Sequence, residues 1–128
     1  MSEFNPVRGL VIVTIGIFGP LGGKIVRLAV DTGSLPTVIH PKHLAEIGYD
    51  VSQASGSTQI ITASGTVDVH NFTLVHMNAL GQRQDDVPVI SHALPLRTRV
   101  DGLLGLDFVR QQRQRLIVDF RTGQVTLD

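Results

Sequence analysis

The chain is 128 residues long, 42% hydrophobic and 17% charged, which gives one domain with a real core and excludes a disordered tail or a coiled coil. Its 11 basic and 11 acidic side chains leave a formal net charge of zero, so no field steers it to nucleic acid and none opposes self-association. It has no cysteine, which excludes disulfides, thiolate zinc sites and cysteine nucleophiles and leaves the redox compartment open.

Residues 1–8 read as a flexible lead-in and 9–128 as the domain. The apolar run 10–18, LVIVTIGIF, is shorter than the roughly 20 residues of a membrane helix. Neither a basic start nor a small-residue cleavage site flanks it, so no signal peptide is expected. It is β-branched and runs into GPLGG, which predicts a hairpin of strands 9–17 and 24–31.

A short strand is expected at 37–40. A short helix over 41–48 follows, with proline in its first turn and glycine after its last. Strand 58–63, a tip at Ser64-Gly65 and a long return strand 66–77 come next. Val67 and Val69 share one parity while Phe72 and Leu74 share the other, which predicts a bulge near His70-Asn71.

Strand 86–90 precedes VDGLLGLDF at 100–108, in which Asp107 is expected to cap a short helix reaching about 113. Runs 116–120 and 124–127 bracket Arg121-Thr122-Gly123 as a last hairpin. About seven short strands with two helical turns make an all-β, closed barrel-like domain. Each half also repeats an apolar strand ending in an acid and a glycine, VDTGS and then VDGLLG, about seventy residues apart, a duplication inside one domain.

The chemistry concentrates in LAVDTGS, residues 28–34. Asp31 leaves the end of an apolar strand. Thr32 supplies a hydroxyl, Gly33 allows a tight turn whose amide approaches the carboxylate, and Ser34 offers another donor. An acid held in this way suits general acid–base work. Two carboxylates roughly 3 Å apart share a proton, so one takes a proton from water while the other gives one to a carbonyl. Asp-Thr-Gly occurs once in the chain, and a twofold homodimer supplies the second copy.

With both elements in view, the sequence resembles the retroviral-type (retropepsin-like) aspartic proteases of the single-domain homodimeric kind. The carrying residues are Val30-Asp31-Thr32-Gly33-Ser34 and the later Leu103-Leu104-Gly105 followed by Leu106-Asp107-Phe108. Asp-Thr-Gly alone is weak, and the paired element at this distance makes it specific.

The resemblance spans about residues 9–127 and implies the acid protease fold and an aspartic endopeptidase acting on extended peptides without a cofactor. Asp31 is then the catalytic acid, and the Thr32 hydroxyls bond across the dimer. Gly33 helps hold the substrate backbone, and Leu103, Leu104 and Gly105 thread behind the loop. The hairpin 60–69, with Ala63, Ser64, Gly65 and Thr66 at its tip, is the flap, and substrate binds through main-chain hydrogen bonds. Residues 116–127 are the candidate for sewing the dimer together. Two features depart from the viral pattern: Ser34 stands where alanine is usual, implying a more acidic optimum, and the flap has no aromatic residue.

Other residues read as structural. Asp101 lacks a following Thr-Gly and is expected in a turn, with Asp119 on the last hairpin. His40, His43, His70, His76 and His92 show no metal-ligand spacing. Arg110, Arg113 and Arg115 read as a solvated helix end. The alternatives to the enzyme are a catalytically silent peptide-binding or dimerisation module of the same fold, and a protease domain idle until released from a precursor.

Overall fold

The computed structural model describes residues 2–3, 9–33, 36–95, 99–112 and 114–128. Strands β2 (Ile12–Gly19) and β3 (Gly22–Val30) form the first hairpin, in register from Ile12 opposite Ala29 to Gly19 opposite Gly22. The turn is tighter than expected, because the strands run into the glycines and leave only Pro20 and Leu21 between them. Gly22 takes the φ of 129° that closes it.

After β4 (Thr37–Ile39), helix α1 (Pro41–Glu46) is started by the His40 side chain, which accepts from the Lys42 amide at 3.0 Å. A 3₁₀ turn (Val51–Gln53) leads into β5 (Gly56–Thr62), β6 (Gly65–Ala79) and β7 (Gln82–Ser91). Then come β8 (Gly102–Leu104), helix α2 (Leu106–Gln112), β9 (Leu116–Asp119) and β10 (Gln124–Leu127).

Strands β2, β3, β8, β4, β7 and β6 are neighbours in that order, and β6 pairs back onto β2, closing a six-stranded barrel. Within it β8 runs parallel to β3 and antiparallel to β4, so the two echoed segments lie side by side. Among the described residues, strand β5 pairs only with β6 and stands outside the ring. Strands β9 and β10 form a separate sheet with β1 (Ser2–Glu3). That last pairing sets Ser2 and Glu3, inside the expected lead-in, opposite Val125 and Gln124; residues 1 and 4–8 lie outside the described residues.

The barrel is filled by Val13, Ile15, Ile17, Val26, Leu28, Leu74, Met77, Val87, Val89, Leu104 and Phe108. Burying each such side chain contributes roughly 1.5–3 kcal/mol. Leu44 and Ile47 dock the α1 region onto this core, and the Tyr49 hydroxyl donates to the Thr73 carbonyl at 2.7 Å.

No bulge occurs at His70-Asn71. Both ladders of β6 pass through these residues without an insertion. The change of parity arises because Val69 faces a second cluster with Val38 and Ile90, while Phe72 and Leu74 face the barrel core. Among the described residues, no helix is long and apolar enough to cross a membrane.

Candidate active site

Asp31 follows the last residue of β3, where the backbone is clamped from two sides. The Val30 amide donates to the Val11 carbonyl at 2.8 Å, and the Asp31 amide donates to the Leu104 carbonyl at 3.0 Å. The chain then turns sharply, and the Gly33 amide donates to Asp31 Oδ1 at 2.9 Å. A Cβ at position 33 would lie 3.2 Å from that oxygen, so glycine permits the close approach. Asp31 is half-buried, while Thr32 and Gly33 are exposed in the single chain. Ser34 lies outside the described residues.

Asp31 opens into a cleft of about 810 Å³. One wall is the second apolar cluster, in which Val38, Ile90, Ile60 and Leu103 all face the cleft. The β5–β6 hairpin, which carries Ile60, also contributes Ile61, Thr62, Ala63, Ser64 and Val67. The segment after β7, with His92, Ala93, Leu94 and Pro95, forms the third side. Of the predicted site residues, Asp31, Gly33, Ala63, Ser64 and Leu103 therefore meet at one cavity.

The hairpin tip is built locally. The Thr62 hydroxyl donates to the Gly65 carbonyl at 2.9 Å and accepts from the Ser64 amide at 3.2 Å. Gly65 has φ 118° and open space around its Cα. Thr66 pairs with Ile61 below the tip. This hairpin is largely exposed, and among the described residues no other strand pairs with its outer edge, so few strand contacts resist its movement.

Leu104 and Gly105 are buried, and neither faces the cleft. Leu104 packs in the barrel core and holds Asp31 through its carbonyl. The Gly105 amide donates at 3.2 Å to Thr37 Oγ1. Thr37 is fully buried and in turn donates to Asp107, from Oγ1 to Oδ1 at 2.9 Å and from its amide to Oδ2 at 3.2 Å. Asp107 was expected as a helix cap. It sits one residue inside α2, where Oδ1 accepts from the first-turn Phe108 amide at 2.9 Å, and the same carboxylate also reaches β4, because α2 packs against that strand.

Asp101 lies away from the cleft and joins three elements. Its carboxylate accepts from the Arg27 amide at 2.9 Å and lies 2.8 Å from His43 Nε2. Its own amide donates to the Arg27 carbonyl at 2.8 Å, and its carbonyl accepts from His40 at 2.9 Å. Burial opposes ionisation of Asp101, but the Arg27 amide and the His43 ring outweigh it and hold the carboxyl below its usual range. Neither this hub nor the Thr37–Asp107 contact has a local sequence signature, since the partners lie 58 to 74 residues apart.

Asp119 closes the last hairpin, accepting from the Arg121 amide at 2.8 Å and the Thr122 amide at 3.2 Å. Arg110 is exposed at the end of α2; Arg113 lies outside the described residues. Among the described residues no three ligating side chains gather to hold a metal ion.

The sequence model for aspartyl proteases matches residues 15–108. No curated protein matches the chain. Among solved structures, the crystal structure of a retropepsin-like aspartic protease from Rickettsia conorii matches with a TM-score of 0.65 and 17% identity. That match covers 91% of this chain and 80% of the other, a likeness of fold across almost the whole molecule.

Proposed function

The chain belongs to the aspartyl protease family and has the retropepsin-like fold, and on that premise we propose that two copies assemble about a twofold axis into an endopeptidase with Asp31 as the catalytic acid. The observation that carries this reading is the placement of Asp31. It is held at the end of β3 by backbone hydrogen bonds and lines a largely apolar cleft together with the β5–β6 hairpin.

In such a dimer the two Asp31 carboxyl groups share one proton. The ionised member takes a proton from water as its oxygen attacks the peptide carbonyl carbon. The protonated member gives its proton to the carbonyl oxygen. The resulting tetrahedral species collapses when the amide nitrogen is protonated and the C–N bond breaks, returning the shared proton to the pair. Thr32 would tie the two loops together across the axis, and Gly33 and the hairpin tip would present backbone groups to an extended peptide.

The β1–β10–β9 sheet supports the dimer reading. Its outer strand β9 has a free edge among the described residues and carries the exposed Ile117, with Phe120 exposed just beyond it. An unpaired edge with apolar side chains is a template for another chain.

The deciding experiment incubates the intact protein with a denatured protein substrate from pH 3 to 7, beside Asp31→Asn. The enzyme reading expects cleavage that falls by roughly 10²–10⁴-fold in the variant. No cleavage by a protein shown to be dimeric by sedimentation would favour the silent peptide-binding module instead.

A further inference from the structure

We propose that His92 is a specificity residue, selecting peptides that carry an acidic side chain at the His92 end of the cleft. This rests on the peptide-cleaving reading above and adds to it a chemical class of substrate. Among the described residues that line the cleft, only Asp31 and His92 have ionisable side chains. The same cleft is lined by the hydrocarbon side chains of Val38, Ile90 and Leu103.

His92 is held in place by its backbone. It follows the last residue of β7, where Ser91 pairs with Ile39, and its amide donates to the Ile39 carbonyl at 3.2 Å. Its half-buried ring takes part in no ion pair among the described residues. On its far side the residue borders a second depression of about 430 Å³, shared with Asp68 and His70 of β6 and with Asp50, which follows α1. Those three side chains and Asp31 are the titratable groups that share a depression with it among the described residues.

A protonated imidazole against apolar walls attracts a carboxylate more strongly than it would in bulk water, and it repels lysine or arginine. Asp31 imposes the opposite preference close to the scissile bond. An acidic side chain is thus accepted at one end of the cleft and refused at the centre. The attraction needs an ionised carboxylate and a protonated imidazole together, so the preference should depend on pH.

The test uses fluorescent peptides with a central apolar pair, in which one Glu or one Gln is moved through the flanking positions. Binding is read by anisotropy with the intact Asp31→Asn protein from pH 3.5 to 7.5, and cleavage with the unmodified protein. At one position Glu should bind about tenfold tighter than Gln near pH 5. His92→Gln should bring that ratio to about one, and His92→Lys should keep it and carry it above pH 7. Glu and Gln within twofold at every position, or the same ratio in His92→Gln, would overturn the proposal. A Glu preference in binding without cleavage by the unmodified protein would instead overturn the peptidase reading and leave this one standing.

Discussion

Asp107 of α2 holds Thr37 of β4 by both its hydroxyl and its amide, at 2.9 and 3.2 Å. Thr37 passes that restraint to Gly105, whose amide it accepts. The turn between β8 and α2 is thereby fixed by a contact between residues 70 apart in sequence.

Thr37→Val keeps the shape of the side chain but leaves the buried Gly105 amide without its partner and removes one of the two hydrogen bonds to Asp107 Oδ1. The loss should be about 1–3 kcal/mol, visible as a lower midpoint in urea. Proteolytic activity should fall by more than the folded fraction does, because the loop carrying Asp31 loosens. Activity tracking the folded fraction alone would reduce Thr37 to a packing residue.

The Asp101 hub should make stability depend on pH. Its carboxyl is held below the usual range in the folded chain, so its contribution is present above the unfolded pKa, about 3.9. It is lost as pH falls through the lower folded value. Asp101→Asn should therefore melt lower than the unmodified protein at pH 6–7, with the gap closing in acid below about pH 4. A gap that stays constant from pH 7 to pH 3 would contradict the ionic role.

Gly102 is required by space. A Cβ there would sit 1.9 Å from the Val38 carbonyl oxygen, part of the backbone of the neighbouring strand. Gly102→Ala should cost about 3 kcal/mol or more and disrupt the β4–β8 ladder. Gly9, where a Cβ would meet nothing within 4 Å, is the control. Similar denaturation midpoints for the two alanine variants would refute this account.

If the site is shared by two chains, dilution should inactivate the enzyme without unfolding it. Below the dimer dissociation constant, activity per chain should fall in proportion to protein concentration, while circular dichroism stays native. A specific activity constant across a thousandfold dilution, in a protein that sediments as a monomer, would rule out the shared site.

Much of this was legible in the sequence because its signals are local. The strand ending at Asp31, the tight turn with Gly33, the proline-started helix at Pro41 and the hairpin turn around Thr122 each follow from neighbouring residues. The β6–β7 hairpin was not legible. Its turn places Leu80 and Gly81 at φ 53° and 78°, and nothing about leucine announces a left-handed backbone. Leu80 tolerates it there because its side chain is buried in the core. Without that turn, β7 could not be seen to start at Gln82. The contact from Asp107 to Thr37 and the unbroken ladders at His70 escaped the sequence for one reason. Each depended on what packs against the residue from a distant part of the chain.

The parallel seam between Leu28–Val30 and Gly102–Leu104 has a consequence for timing. Loop closure over so long a stretch is slow, and it comes late in the search for the native state. A nascent chain still waiting for Leu104 to leave the ribosome can already form the first hairpin and its Val11 clamp, but it lacks the second backbone clamp beside Asp31. Final positioning of that carboxylate thus waits on a residue made much later in the chain.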